Sequence, residues 1–355
     1  MKNNFIVSGS PHLHEGSSVK SVMWSVVAAL MPALVVGVYF FGKNALLLTI
    51  YGILAAVLTE AIILFIRRMP IVIKDGSAVI TGILVSFNFH SEVPWWIPVV
   101  GSVFAITIGK HVFGGLGHNI VNPALLGRVF LVASWPNLTT TGWVRTVMGS
   151  TSGFSRDIVA SIPQHITSAT PLTAMKTLRD PSIVETLTES GLCQSEVIEH
   201  LTSFPALNNL FWGNIGGCIG EVSAFALLLG GVYLLITRII EWRIPFFYLG
   251  TVFVLTFLFG GINGFALSNI NIALFHILSG GLMLGAFFMA TDWVTSPITR
   301  KGKAIFGIGC GLFTVFIRFL GGYPEGVSYA ILLMNLFVPL IDRYTFPKQF
   351  GEVKK

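Results

Sequence analysis

Ten stretches of apolar residues, joined mostly by short polar connections, limit most strongly how this chain can fold. They lie near residues 22–41, 45–66, 77–90, 94–113, 120–135, 214–237, 246–262, 272–290, 304–320 and 326–342. Inside a bilayer, backbone groups must hydrogen-bond within the protein, and a helix needs roughly 20 apolar residues to cross. Only 11% of the residues are charged, against about 25% in a soluble domain. We therefore predict an all-α polytopic membrane protein with about ten transmembrane helices.

The ten stretches form two sets of five, separated by a polar interval that spans residues 136–209. Related halves with an odd number of helices have inverted topology. A weak repeat supports this relationship, because Gly82 precedes Pro94 and Gly285 precedes Pro297 by the same spacing. The repeat makes the third and eighth stretches equivalent and predicts partial or broken helices there. The predicted divisions are an N-terminus (1–21), a first membrane half (22–135), the polar segment (136–209), a second membrane half (210–342) and a tail (343–355).

The distribution of Lys and Arg predicts the orientation in the membrane. With a cytoplasmic N-terminus, the connections on the inner side carry Arg67, Arg68, Lys74, Arg238, Arg243, Arg300, Lys301, Lys303, Arg343 and Lys348. The short outer connections carry little beyond Lys43, with Arg318 at the end of a span. By the positive-inside rule, both termini are predicted to be cytoplasmic and residues 136–209 extracytoplasmic. The net charge of +6 arises from these dispersed clusters, so nucleic-acid binding is not predicted.

Cysteine and histidine spacing predicts no protein-held metal or iron–sulfur cluster. Cys193, Cys218 and Cys310 form no CxxC pair, and His90 and His118 have no partner at a metal-ligand spacing. The N-terminus lacks the apolar core of a cleavable signal, so we expect the first stretch to remain as an anchor. A glycine-rich run at 307–311 lies inside an apolar stretch and is interpreted as helix packing rather than a nucleotide loop.

Thr170 stands out within the polar interval because it precedes Pro171. A residue before proline is biased toward extended backbone, and proline suits the first position of a helix. Residues 171–178 are therefore predicted to form a short helix with Thr170 as its N-cap. On spacing alone, a helix cap is the simpler interpretation. The alternative is a hydroxyl esterified by a phosphate, which the helix N-terminus would favour electrostatically.

Several blocks of this sequence resemble the NqrB/RnfD family, over nearly the whole chain. The blocks are residues 75–82 (DGSAVITG), 113–125 (FGGLGHNIVNPAL), 220–223 (GEVS), 288–297 (FMATDWVTSP) and 323–326 (YPEG) extending to Asp342. Members of this family are membrane subunits of the sodium-pumping NADH:quinone reductase and of the Rnf ferredoxin:NAD oxidoreductase. The short N-terminus and its Ser10-Pro11-His12-Leu13-His14 opening resemble the Rnf branch, the D subunits.

The resemblance implies a covalent FMN. The family attaches FMN through its phosphate to a threonine, using a flavin transferase that recognises an Asp-x-x-Ser/Thr-Gly/Ala-Ala-Thr pattern. Residues 167–170 (TSAT) match the end of the pattern, with Thr170 as the acceptor. The sequence departs from it at Gln164, where Asp is expected, and at Ser168, where Gly is common.

Asn119 and Asn122 have two interpretations. By position they are caps at the entry to the fifth stretch. Corresponding residues in the family lie near a second, non-covalent flavin, so the resemblance implies that both contact riboflavin.

Ionisable residues at membrane depth are costly and suggest function. We predict Glu60, Glu221 and Asp292 as candidates for an ion path; the family resemblance supports Glu60 and Asp292 and adds Asp342. Asp342 can also be a carboxylate that reaches the interface from a helix end. Glu325 is interpreted as a first-turn carboxylate, and Lys110 and His111 as interface anchors.

The resemblance implies a component of a multi-subunit oxidoreductase in the bacterial inner membrane. Covalent FMN would relay electrons between ferredoxin and NAD, coupled to Na⁺ or H⁺ transport, and no side chain of this chain need be catalytic. The implied partners are iron–sulfur and membrane subunits, a second subunit with covalent FMN, the flavin transferase and membrane lipid. Two alternatives remain: an NqrB-type subunit working toward quinone, and a channel or secondary transporter without a redox cofactor.

Overall fold

The computed structural model of the chain describes residues 18–70, 73–140, 170–178, 185, 194–260, 269–323 and 325–347. Its helices are α1 (Val19–Phe41), α2 (Lys43–Ile66), α3 (Ser77–Phe87), α4 (Trp96–Phe104), α5 (Pro123–Ser134), α6 (Pro136–Thr140), α7 (Pro171–Thr177), α8 (Gln194–Leu201), α9 (Phe204–Trp212), α10 (Ala224–Ile236), α11 (Arg243–Phe259), α12 (Ile270–Leu278), α13 (Leu282–Leu284), α14 (Arg300–Leu320) and α15 (Val327–Thr345). Two of them, α4 and α13, continue as π-helical stretches, Ala105–His111 and Gly285–Met289. All regular elements in these residues are helical, as the apolar pattern predicts.

Four helices, α1, α2, α14 and α15, are each long and apolar enough to cross a membrane. A fifth unit consists of α12 and α13 with its π-helical continuation, bent by 67° at the break between them. The other apolar helices, α3, α5, α10 and α11, are shorter than a full span. The predicted membrane protein is therefore seen as an all-helical bundle with four or five full-length spans, and the ten-helix inverted repeat stays a prediction.

The third and eighth apolar stretches are a partial and a broken helix, as predicted. In the eighth, Gly280 and Gly281 have φ values of +69° and +67°, which turn the chain out of the α12 direction at little steric cost. The break exposes carbonyl groups, and the guanidinium of Arg318 donates to His276 O at 2.5 Å and Ser279 O at 3.0 Å. Non-helical backbone at this depth is thus hydrogen-bonded by protein.

Backbone carbonyls at the end of α3 also accept hydrogen bonds from protein. The donors lie in a second irregular segment, which precedes α10. Ile219 N donates to Phe89 O at 2.9 Å, and Gly220 N donates to Phe87 O at 3.0 Å. The predicted span 214–237 is therefore wrong over its first part, because the helix begins at Ala224. The preceding residues pair with the end of α3 instead of forming helix.

Glycines bring α11 and α14 into close contact. A Cβ at Gly307 would lie 2.9 Å from Ile244 O, and a Cβ at Gly311 would lie 2.7 Å from Thr251 Cβ. The interpretation of the 307–311 run as helix packing is confirmed, since small residues allow backbones to approach this closely.

A small apolar core holds α7 against the bundle. It is formed by buried residues of α7, α8, α9 and α12, including Leu172, Met175, Val197, Leu201, Leu210 and Phe275. The described part of the polar interval therefore folds onto the membrane helices. Residues 141–169, 179–184 and 186–193 of that interval lie outside the described residues.

The bundle has two ends, which we name by residues that lie there. At the α1 face, where α1 begins, Arg67 donates to His111 O at 3.1 Å and Trp293 donates to Ile239 O at 2.6 Å. At the opposite Thr170 face, Lys176 donates to the carbonyl of Gly321. Most of the Lys and Arg residues that are predicted to lie on the inner side are in connections at the α1 face.

Candidate functional site

Thr170 is the N-cap of α7, in extended backbone as Pro171 requires (φ −66°, ψ 155°). Its hydroxyl pairs with the Thr173 hydroxyl at 2.8 Å and accepts from Thr173 N at 3.3 Å. Among the described residues, these are its only hydrogen bonds. Thr170 is 8% exposed, and an ester on its oxygen would break hydrogen bonds only within its own helical turn. The preceding pattern residues, including Gln164 and Ser168, lie outside the described part of the chain.

A cavity of about 280 Å³ opens beside this turn, and we call it the Thr170-face cavity. Its lining residues include Asn88, Arg128, Thr173, Tyr323, Glu325 and Tyr329. A smaller pocket next to it is lined by Thr170, Glu221 and Glu325 among others. Glu325 therefore borders both spaces, and Thr173 joins the cavity to the Thr170 hydroxyl.

A buried ion pair forms the floor of this region. Arg128, from α5, donates to Asn88 Oδ1 at 2.7 Å and to the carboxylate of Glu325. The interpretation of Glu325 as a first-turn carboxylate is wrong, because α15 begins at Val327 after the Gly326 N-cap. The carboxylate pairs instead with Arg128 from α5. Arg128 was missed as a site residue, although an arginine inside the apolar stretch 120–135 was a usable signal.

Glu221 lies beside this pair, at the break between α12 and α13. A Cβ at Gly281 would lie 3.1 Å from the carboxylate carbon of Glu221. Cys218, Glu221 and Glu325 place one potential ligand atom each within 4.8 Å of one another. Since Arg128 donates to Glu325, the cluster is held by an ion pair, and it carries two acidic groups close to Thr170.

A second cavity, of about 390 Å³, lies at the opposite end of the bundle. We call it the α1-face cavity. Its walls are mostly apolar, from α1, α3, α10 and the π-helical continuation of α13, and its polar lining residues are Ser77, Thr81, Lys110, Asn119, Asn122, Thr291 and Asp292. This size and composition are typical of a site for a small organic ligand.

The two predicted asparagines both line the α1-face cavity but differ in their bonding. Asn122 caps α5, accepting from Ala124 N at 3.0 Å and Leu125 N at 3.3 Å, and it donates to Met289 O at 3.2 Å. The cap interpretation is therefore correct for Asn122. Asn119 makes no such cap, and its side chain interacts with the carboxylate of Asp292.

Glu60 is paired beside the same cavity. Lys110 Nζ lies 2.6 Å from Glu60 Oε1 and 2.7 Å from Ser77 Oγ, and Glu60 and Lys110 are each 3% exposed. The prediction that Lys110 is an interface anchor is wrong, because the ammonium group is buried against this carboxylate. His111 is also buried, with Nε2 3.7 Å from Glu60.

Asp292 and Asp342 lie at the α1 face as well. Asp292 accepts from Thr295 Oγ1 at 3.1 Å and lines the α1-face cavity. Asp342 accepts from Ile298 N at 3.1 Å near the end of α15. Three predicted ion-path carboxylates are thus at one face, while Glu221 is at the other. The structure does not bring the four into one site.

Comparison with known proteins finds similar proteins over nearly the whole length of the chain. The chain is 44% identical to the D subunit of the Na(+)-translocating ferredoxin:NAD(+) oxidoreductase complex of Acetobacterium woodii, covering 99% of this chain and 96% of that protein. It is also 44% identical to the D subunit of the proton-translocating ferredoxin:NAD(+) oxidoreductase complex of Clostridium ljungdahlii, covering 99% and 97%. The D subunit of the ion-translocating oxidoreductase complex of Aliivibrio salmonicida is 36% identical, covering 99% of each chain. A family model matches residues 6–351, and the chain therefore belongs to the NQR2, RnfD, RnfE family.

Proposed function

We propose that this chain is the D subunit of an ion-translocating ferredoxin:NAD⁺ oxidoreductase (Rnf) complex and that it relays electrons through FMN attached to Thr170. The observation that carries the proposal is similarity over 99% of the chain to proteins of that name. It is combined with a Thr170 hydroxyl that bonds to the hydroxyl of Thr173, a residue that lines a ligand-sized cavity. The names of these relatives favour the Rnf complex over a quinone-reducing complex. The flavin supplies the redox chemistry, and the protein supplies its attachment and environment.

Attachment requires a phosphoester at the Thr170 oxygen. We propose that a flavin transferase uses a flavin adenine dinucleotide as donor. The threonine oxygen forms a bond to the flavin-side phosphorus, AMP leaves with the electron pair of the broken phosphoanhydride bond, and the hydroxyl proton is lost. The local bonding of Thr170 supports this chemistry, since no tertiary hydrogen bond to a described residue is lost. Glu325 close by is neutralised by Arg128, which reduces repulsion of the phosphate.

We propose that the α1-face cavity takes a second flavin, riboflavin, without a covalent bond. Its volume, apolar walls and few polar groups suit a planar ring that carries hydrogen-bonding edges. Asn119 and Asn122, which both line this cavity, are the proposed contacts to the ring. Asn122 already caps α5 and donates to Met289 O, so Asn119 is the residue used in the test.

Coupling to ion transport is proposed to involve Glu60, Glu221, Asp292 and Asp342. The burial of Glu60 and the position of Asp292 at the α1-face cavity support two of these assignments. Two relatives, each 44% identical to this chain, are named for translocation of sodium and of protons. Sequence identity over the whole chain therefore does not indicate which cation is transported. We further propose two inverted five-helix halves, supported by the partial α3 and the broken α12–α13 unit.

The proposed location is the bacterial inner membrane, with both termini in the cytoplasm and Thr170 on the outer side. The positive charge of the connections at the α1 face supports this orientation. The proposed partners are the other membrane and iron–sulfur subunits of the complex, including one with its own covalent FMN.

The Thr170 bond is tested with the full-length chain produced together with the flavin transferase. We expect a fluorescent band on a denaturing gel, and a mass gain on the Thr170 peptide equal to FMN minus water. Thr170→Val should abolish both signals. Thr173→Val is the matched control, because it removes the neighbouring hydroxyl and should leave the flavin attached. A colourless wild-type chain would favour a transporter without a redox cofactor.

The same preparation tests the second flavin. Denatured and filtered protein should release riboflavin, and Asn119→Ala should reduce the amount released while the Thr170-bound flavin remains. If the wild-type protein releases no riboflavin, the α1-face cavity does not hold this ligand.

A further inference from the structure

The Thr170-face cavity is lined by a cation, Arg128, to which the proposed function gives no role toward the flavin ring. Arg128 lies in the middle of α5, and its side chain is 11% exposed. A guanidinium has five N–H donors. Arg128 directs Nη1 to Asn88 Oδ1 and Nη2 to Glu325, so N–H groups remain beyond these two bonds on a side chain that lines the cavity.

Asn88 holds Arg128 in place from a helix end. Its Nδ2 donates to Leu84 O at 2.5 Å, while its Oδ1 accepts from Arg128. Asn88 is 3% exposed. Because both ends of the Asn88 amide are bonded, we assign it as a positioning residue that orients Arg128 relative to the cavity.

The remaining wall of the cavity suits a flat aromatic ligand. Tyr323 and Tyr329 both line it, and their rings are stacked with centroids 5.1 Å apart. Val132 adds an aliphatic surface. The volume of about 280 Å³ is just below the roughly 300–1,000 Å³ of small-molecule sites. The hydroxyl-bearing residues Thr139, Thr140 and Ser328 also line the cavity beside the two tyrosines.

The cavity is connected to the proposed flavin attachment site. Thr173 lines the cavity, and its hydroxyl lies 2.8 Å from that of Thr170. The phosphate esterified to Thr170 would therefore begin beside Thr173, and the ribityl chain of the FMN would have to lead from there into the cavity to place the ring in it. The α1-face cavity lies at the other end of the bundle and has no such connection among the described residues.

We propose that the Thr170-face cavity binds the isoalloxazine ring of the flavin on Thr170, and that Arg128 contacts the ring and raises its reduction potential. This inference rests on the proposed function. Reduction adds electrons, and hence negative charge, to the ring. A neighbouring cation stabilises the reduced form more than the oxidised form, and charges buried in protein are screened less than in water. Glu325 acts in the opposite direction and offsets part of this effect.

The experiment is a redox titration of the full-length chain, produced with the flavin transferase and followed by flavin absorbance. We expect Arg128→Gln to make the midpoint potential of the Thr170-bound flavin more negative, because the cation is lost and Glu325 remains. Glu325→Gln should make it more positive. The double variant, which removes both charges, should lie between the two single variants. Opposite shifts from the two members of one ion pair distinguish an electrostatic effect on the ring from a general loss of structure.

Two controls accompany the titration. Arg243 also pairs with a glutamate, Glu241, but at the α1 face, so Arg243→Gln should leave the potential unchanged. Thr170→Val lacks the covalent flavin, so its absorbance is that of any non-covalent flavin. This absorbance is subtracted from that of the other variants. A fluorescent band on a denaturing gel verifies attachment in each variant, so failure of the flavin bond itself is seen separately.

The inference is wrong if Arg128→Gln and Glu325→Gln retain the covalent flavin and both titrate at the wild-type potential. In that case the ion pair only ties the two halves together. If one single variant fails to fold, the other still decides the question, because the expected shift of its midpoint potential has a definite sign. Arg128→Lys keeps the positive charge and should remain close to the wild-type potential, whereas a potential as negative as that of a charge-deleted variant would contradict the electrostatic account.

Discussion

At the scale of single residues, two buried cations in the described part of the chain are each paired with a carboxylate. Lys110 and Glu60 meet inside the bundle, and Arg128 and Glu325 meet at the Thr170 face. Removing a charge from water is costly, so such a pair is stable only when both partners and their hydrogen bonds are present. Arg318 is bound in a different way, because its guanidinium donates to backbone carbonyls at the α12–α13 break.

Truncation of one partner of the Lys110–Glu60 pair should therefore be strongly destabilising. We expect Lys110→Met to lower the free energy of unfolding by about 3–5 kcal/mol, because the Glu60 carboxylate would remain buried without its cation. The measurement is the thermal unfolding midpoint of the purified protein in detergent.

A matched lysine provides the control for this prediction. Lys303 also pairs with a glutamate, Glu241, but the two side chains are 22% and 26% exposed. Lys303→Met should cost no more than about 1 kcal/mol, as for other partly exposed ion pairs. Equal unfolding midpoints for the two variants would contradict the assignment of Lys110 as a buried charge.

At the scale of elements, the interrupted helices determine where polar groups can enter the bundle. The end of α3 brings Asn88 to Arg128, and the α12–α13 break brings backbone carbonyls to Arg318. Continuous helices would have bonded these carbonyls internally. The interruptions therefore create the polar region next to Thr170.

The α12–α13 break should not tolerate a side chain at Gly280. We expect Gly280→Ala to destabilise the protein, because φ is +69° and the new Cβ would lie 2.4 Å from Leu172 Cδ2 in α7. A left-handed backbone costs a non-glycine residue about 1–2 kcal/mol, and overpacking adds roughly 1–3 kcal/mol. The thermal unfolding midpoint and protease sensitivity near α7 measure this effect.

Gly250→Ala is the control at this scale. Gly250 lies within α11, and a Cβ there would meet nothing within 4 Å. Alanine favours helix over glycine by about 1 kcal/mol, so this variant should be as stable as wild type or more so. If Gly280→Ala and Gly250→Ala have the same thermal unfolding midpoint, the α12–α13 break does not depend on the backbone freedom of glycine.

At the scale of the whole molecule, the asymmetry of positive charge orients the bundle and thereby the Thr170 face. Among the described residues, the connections at the α1 face carry more Lys and Arg than those at the Thr170 face, which carry Lys43 and Lys176. Both ends of the bundle contain a cavity, so orientation decides which proposed flavin is accessible from which side.

Cysteine labelling tests this orientation. Lys43 and Lys301 are exposed at opposite faces. In intact cells, a membrane-impermeant maleimide should label Lys43→Cys directly and Lys301→Cys only after the membrane is permeabilised, with the unsubstituted chain as background. The reverse pattern would put Thr170 on the cytoplasmic side and contradict the proposed location of its flavin.

The sequence by itself determined the all-helical membrane class, the partial third and broken eighth elements, and the cap position of Thr170. These properties depend on local features: apolar length, glycine content and the restriction that Pro171 imposes on the residue before it. Local features also explain why the cap interpretation succeeded for Asn122.

Only the tertiary structure decided which charges meet. Glu60 with Lys110 and Arg128 with Glu325 are separated by 50 and 197 positions along the chain, and nothing local to either member specifies its partner. For the same reason, sequence reasoning assigned Lys110 to the interface and extended a span through 214–223. Residues that bond across the bundle follow the packing of distant segments, and local periodicity contains no information about that packing.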